Sequence, residues 1–264
     1  MTLATSVDAL HDDPRTERER ARWRAVASDH GIASLRHTHW LDDEFRSYAD
    51  APGVWAGRDG RVIGRGLSPD GADAQLALAP GEEAPFGRLL LRAIDRDGAL
   101  ALRVLDPDAP TRVRLRGIHS FPHDDAWVLP GAFVPAAEGE TRVVRSVDGY
   151  EREQPAVGTV ALTIAGSPVS LTVSGGPKGL SAVVADGTSG ADGYRFRFLP
   201  IDAPDADGSV LVDFNRAYLP PCAFSDEYVC PLPPAGNRLA VRVEAGERLP
   251  ELAPEGDTDG ADTN

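Results

Sequence analysis

Lysine is nearly missing from this sequence. Of 27 basic residues only Lys178 is a lysine, and 41 acidic residues leave a formal charge of -14. No run of basic residues stands out, so a polyphosphate backbone would meet a repulsive field, and nucleic acid is excluded as an expected partner. Long apolar runs are absent too: none approaches the roughly 18–20 residues that span a bilayer. The first residues, Met1 to Asp13, lack a cationic start followed by an apolar core. No membrane association is expected, and the expected location is the cytoplasm. Cysteine is scarce, with only Cys222 and Cys230. Two thiols cannot make a tetrahedral zinc site alone, and in a reducing cytoplasm they are expected to be free, small and buried among prolines. There is no Ser-His-Asp order, phosphate loop, dinucleotide fingerprint or His-Glu-x-x-His motif, so no familiar enzyme class has support and no catalytic residue is assigned. No fixed-period repeat appears, which removes propellers and solenoids.

What the sequence does have is punctuation. Its 22 prolines and 27 glycines leave little room for long helices and favour short strands joined by turns. The fold class expected is mostly β: an antiparallel sandwich or partly closed barrel with one N-terminal helix. That helix follows Asp13-Pro14, a cap with proline at the first helical position, runs to Ser28 before Gly31, and should dock through Trp23. Short strands are read at Leu76–Leu78, Leu89–Ile94 and Ala99–Leu105, with a turn at Asp97-Gly98. The strict alternation of Thr111-Arg112-Val113-Arg114-Leu115-Arg116 reads as another strand. Val160, Leu162 and Ile164 share one face and Val169, Leu171 and Val173 another across a turn at Gly166, which makes a hairpin. Tyr194/Phe196/Phe198, Val210/Val212/Phe214 and Leu239/Val241/Val243 supply three further faces. The organisation read from these patterns is a helix and arm over 1–39, a β lobe over 40–135, a second β lobe over 136–250 and an acidic tail over 251–264 too polar to order itself.

Four of the six histidines fall in two pairs, His37 with His39 and His119 with His123. Alternate positions on a strand suit a metal, but two pairs in separate loops are a weak pattern, and neither a metal nor another cofactor is expected.

Three blocks carry a resemblance. The first is Asp213-Phe214-Asn215-Arg216-Ala217-Tyr218-Leu219-Pro220-Pro221-Cys222, followed by Cys230-Pro231-Leu232-Pro233-Pro234, Asn237-Arg238-Leu239 and Ala245-Gly246-Glu247. The second is Asp186-Gly187-Thr188-Ser189-Gly190 with Tyr194 and Arg197, and the third runs from Arg103 through Gly117-Ile118 and Phe121-Pro122 to Trp127. Together they resemble the family called domain of unknown function 1684, over roughly residues 90 to 250, with departures at Gly193, Phe196 and Leu219. The resemblance implies where a site should lie but implies no reaction and no cofactor.

Two functions follow as expectations. One is a polar small-molecule site on the C-terminal lobe built from Arg197, Asp213 and Asn215, with Asp186, Tyr194, Asn237 and Glu247, for a hydroxylated or anionic ligand. The alternative is a non-enzymatic structural or protein-interaction module in which the same residues brace turns. The sharpest geometric expectation is a hairpin symmetric about Asp205. It would set Phe196 opposite Phe214 and Phe198 opposite Val212 on the core face, and Arg197 opposite Asp213 on the polar face.

Overall fold

The computed structural model describes residues 14–67 and 75–254, and the chain divides into two compact units, Met1–Leu115 with Leu252–Asn264, and Arg116–Glu251. Each is built of antiparallel strands, as the turn-rich sequence requires.

In the first unit the helix α1 (Pro14–Ala27) starts at the expected proline. Its anchor differs from the expectation: Val26 is fully buried, whereas Trp23 stays 38% exposed. One sheet has the order β1-β7-β6-β5, from β1 (Leu35–Trp40), β5 (Glu83–Phe86), β6 (Leu89–Arg96) and β7 (Ala99–Leu105); another, of β2 (Val54–Arg58), β3 (Arg61–Arg65) and β4 (Leu76–Leu78), has the order β2-β3-β4. Asp97 and Gly98 both take positive φ, 53° and 89°, so two residues suffice to turn β6 into β7. Trp55, Leu91, Leu102 and Val104 form part of the core. The strand expected at Thr111–Arg116 is instead a helical turn, α2 (Pro110–Arg114), and only from Leu115 does the chain extend. Pro110 fixes a helical φ at the first position, and Arg112 holds the turn by donating to the carbonyls of Pro107 and Ser28. Alternation without a sheet to pair with loses to a proline start.

The second unit holds β8 (Leu115–Ser120), β9 (Val128–Pro135), β10 (Thr141–Arg145), β11 (Glu151–Pro155), β12 (Gly158–Ile164), β13 (Ser167–Gly176), β14 (Gly179–Val184), β15 (Arg197–Asp202), β16 (Ser209–Asp213) and β17 (Glu247–Leu252). The strands over 115–135, read from sequence with the N-terminal lobe, pair here. Six strands make one sheet in the order β15-β14-β13-β12-β9-β16. The β12–β13 hairpin has the expected faces, with Val160 opposite Leu171 and Leu162 opposite Val169 around a two-residue turn at Ala165-Gly166. The sheet curls until its edge strands β15 and β16 meet without a shared ladder, giving a partly closed barrel around Val160, Leu171, Leu199, Val212 and Phe214.

The Asp205-centred hairpin does not form: β15 pairs with β14, Arg197 lying opposite Val184, and β16 pairs with β9. The free edge of β15 is met further along, where Phe198 and Tyr218 exchange both backbone hydrogen bonds at 2.9 Å. Phe196, Val212 and Phe214 are buried as expected, but the face of β15 itself is inverted. Arg197 points inward with Leu199 and Ile201, all at most 2% exposed, while Phe198 is only half-buried.

Two further expectations change. Leu239, Val241 and Val243 alternate as read, but their segment belongs to no strand. The acidic tail does not begin at residue 251, because Glu251 and Leu252 complete β17, which pairs with β8, and the Ala253 amide donates to the Arg114 carbonyl at 2.8 Å. Residues 255–264 of that expectation lie outside the described residues. Ending the chain after Pro250 should therefore lower stability by about 1–3 kcal/mol, the worth of the few hydrogen bonds lost. Urea unfolding checks this, and an unchanged midpoint would contradict it.

Candidate functional site

Asp186 follows β14 and opens the turn Asp186-Gly187-Thr188-Ser189. Its Oδ1 accepts the Thr188 amide at 2.8 Å, and its own amide donates to Ser189 Oγ at 3.0 Å, which is how Asp and Ser shape a turn from within. Its Oδ2 meets Arg197 Nη2 at 2.5 Å, with the two side chains 1% and 2% exposed. A guanidinium so deeply buried needs every donor engaged. Arg197 Nη2 also donates to the Val243 carbonyl at 2.9 Å, and Nη1 donates to the carbonyls of Ala245 and Glu247. Carbonyls of alternate residues on an extended chain point the same way. One arginine thus takes the acceptors that a neighbouring strand would otherwise pair, and Asp186 Oδ1 takes the Val243 amide at 3.2 Å. That is why 243–245 belongs to no sheet, while 239–241 before it meets the backbone of Ala185 and Gly187.

Asn237 likewise replaces backbone pairing, here between β13 and β14. Pairing of these two strands begins at Ser174–Ser181, and continued in register it would set Thr172 opposite Val183. The strands have parted there, and the fully buried Asn237 fills the gap. Its Oδ1 accepts the Thr172 amide at 2.7 Å, and its Nδ2 donates to the carbonyls of Thr172 and Val183, each at 2.9 Å.

Three more of the expected site residues clasp loops. Glu247 Oε2 accepts the Leu219 amide at 2.7 Å, and its own amide donates to the Ala217 carbonyl at 2.8 Å. Beside it, Gly246 has φ 75°, and a Cβ there would sit 2.4 Å from the Ala217 oxygen, so only glycine lets the two segments approach. Asp213 Oδ1 accepts both the Asn215 amide and Nδ2 at 3.0 Å, and Asn215 exchanges two hydrogen bonds with the Asp124 backbone. Arg197 and Asp186 are brought together; Arg197 and Asp213 are not.

Tyr194, the seventh, differs from the others. It is half-buried, and its hydroxyl donates to the Cys222 carbonyl at 2.7 Å while accepting from Arg195 Nε at 3.2 Å. Burial, and then its bond to Cys222, push the phenol above its ordinary pKa. The exposed Arg195 guanidinium lies 5.5 Å from the Tyr194 ring centre and 5.7 Å from that of Phe196. Among the described residues it has no carboxylate partner. Its hydrogen bond to Tyr194 is the main cause holding its pKa above the ordinary value. The Tyr194 amide donates to the Arg248 carbonyl at 2.7 Å, and Arg248 in turn lies over Phe121 at 4.9 Å, with its Nε on the Asp192 carbonyl. Arg195, Arg248 and Phe121 were not among the residues expected from sequence. The signal that would have found Arg195 is the run Tyr194-Arg195-Phe196-Arg197, where the charge is flanked by two rings.

Elsewhere, Arg142 places its Nη2 on Ser174 Oγ; its Nε has no partner among the described residues, and burial holds its pKa below the ordinary value. His37 and His39 stack at 5.1 Å in the first unit, bonded to Asp50 Oδ2 and the Ala49 carbonyl, whereas His119 and His123 lie in the second.

The fold and its braces define a class: an antiparallel β protein whose polar motif residues hold loops to a partly closed barrel. Residues 114–248, half of the chain, match the family model described as "Protein of unknown function (DUF1684)", and the chain belongs to that family. The solution NMR structure of an uncharacterized protein of Haloarcula marismortui is similar at 30% identity, over 50% of this chain and 76% of that one, with a TM-score of 0.41. None of the curated proteins matches. No helix among the described residues is long and apolar enough to cross a membrane.

Proposed function

We propose that the second unit binds a small anionic or hydroxylated molecule at the Tyr194–Arg195 surface. The observation that carries the reading is Arg195 itself. In a chain of formal charge -14 it is an exposed guanidinium without a carboxylate among the described residues, its Nε fixed by a phenol and its face set on two rings. An arginine held this way presents its remaining donors as a fork and loses little freedom when it takes a carboxylate or phosphate. The motif residues Arg197, Asp186, Asn237, Glu247, Asp213 and Asn215 then serve the site as its frame rather than as its contacts. We place the protein in a reducing compartment such as the cytoplasm, where cysteines rest as thiols.

The test is calorimetry and thermal shift with inorganic phosphate, citrate and a panel of sugar phosphates. The wild type should show saturable binding to at least one of them, and Arg195→Ala should lose it at least tenfold with its ligand-free melting unchanged. Equal binding by Arg195→Ala would rule the site out. A second reading, a protein-interaction module, is favoured by the outward face of β9 and β16, where Val134 is 52% and Leu211 58% exposed. Silence across the whole panel would favour that one.

A further inference from the structure

The proline-rich segment 220–234 carries both cysteines of the chain. Cys222 sits in the short turn Pro221–Ala223, and Cys230 is held by its carbonyl, which accepts the Val147 amide at 2.9 Å. Both are buried, at 3% and 5% exposure. The Cys222 amide donates to Cys230 Sγ at 3.4 Å. Adding the N–Cα bond of about 1.5 Å puts Cys230 Sγ within roughly 5 Å of the Cys222 Cα. The Cys222 side chain starts from that same Cα, so the two sulfurs are close neighbours in the buried segment, the arrangement from which a disulfide is closed.

We propose that Cys222 and Cys230 are a redox modification site, closed by small peroxides into a reversible intrachain disulfide. The Cys222 thiolate attacks one oxygen of hydrogen peroxide, breaking the O–O bond. This gives a Cys222 sulfenic acid and hydroxide, which takes up a proton to become water. The Cys230 thiol then attacks the sulfenic sulfur, forming the S–S bond and releasing a second water. Two thiols are oxidised by two electrons, and one peroxide is reduced to two waters. The surroundings favour Cys222 as the attacking sulfur. Its hydrogen bond with the Cys230 thiol, and lesser contributions from Tyr194 and Arg195, lower its pKa to about 7 against the opposing effect of burial, so thiolate is populated near neutrality. The same burial sets the oxidant class, because a small peroxide can reach a sulfur of a residue only 3% exposed, and a bulky disulfide such as oxidised glutathione cannot.

The test is peptide mapping of the reduced full-length protein after exposure to stoichiometric hydrogen peroxide under native conditions, with remaining thiols then alkylated in denaturant. A Cys222–Cys230 cross-link, lighter by two hydrogens and fully reversed by dithiothreitol, is expected, together with faster closure as pH rises through neutrality. In Cys230→Ser a dimedone adduct should accumulate on Cys222. Both thiols remaining fully alkylated in the wild type would overturn the proposal, and so would a cross-link that forms only between chains or a product that stops at sulfinic acid. The wild-type measurement is decisive even if the variant fails to fold.

Discussion

Asp186→Ala is expected to destabilise the second unit by about 3–5 kcal/mol, the cost of leaving a buried charge without its partner. Arg197, 2% exposed, would keep its carbonyl acceptors but lose the carboxylate that faces it, and the amides of Thr188 and Val243 would lose their acceptor. Asp213→Ala, by contrast, removes a cap that spans two residues at a half-buried turn, a loss of about 0.5–2 kcal/mol. Equilibrium urea unfolding of both variants decides the matter. Equal effects, or a larger one at Asp213, would mean that the Arg197–Asp186 pair is not the main brace.

Asn237→Leu keeps the approximate shape of the side chain and discards its hydrogen bonds, which strands the Thr172 amide and the carbonyls of Thr172 and Val183 between two parted strands. Each buried group left unpaired costs about 1–3 kcal/mol, so a total loss of about 3 kcal/mol or more is expected. A local readout separates this from general damage: the Thr172 amide should exchange with solvent far faster than those of the intact β12–β13 ladder. Unchanged protection at Thr172 would show that backbone pairing, rather than Asn237, closes the gap.

Much of the sheet was legible because burial and period agreed. Val160, Leu162 and Ile164 alternate, a positive-φ turn follows, and no buried polar residue competes. The same rule misled where a charge was buried. Period-2 reading sends Arg197 to the solvent face, whereas Asp186 and three carbonyls satisfy it inside, so the face of β15 came out inverted and the Asp205 register with it. At 239–245 the alternation was read correctly and the pairing was not, since 239–241 meets the backbone of 185–187 and 243–245 meets the side chains of Asp186 and Arg197, partners distant in sequence that a local pattern cannot reveal. The motif residues brace backbone at separate places: Asp186 and Arg197 at 243–247, Asn237 between β13 and β14, and Asp213 with Asn215 at Asp124. Their chemistry suited a ligand equally well as a brace, and only the distances separate the two. Arg195 was not assigned to the site because an exposed arginine beside rings looks, in sequence, like any strand surface.

The most direct test of the account is a titration of ¹⁵N-labelled protein with the strongest binder of the phosphate, citrate and sugar-phosphate panel, followed by backbone amide and arginine Nε–H signals. Saturable shifts should centre on Tyr194, Arg195 and Phe196 and include the Arg195 Nε–H, while the buried Arg197 and Asn237 signals stay in place. Shifts centred instead on Arg142, or on Arg197 and Asp213, would contradict the account.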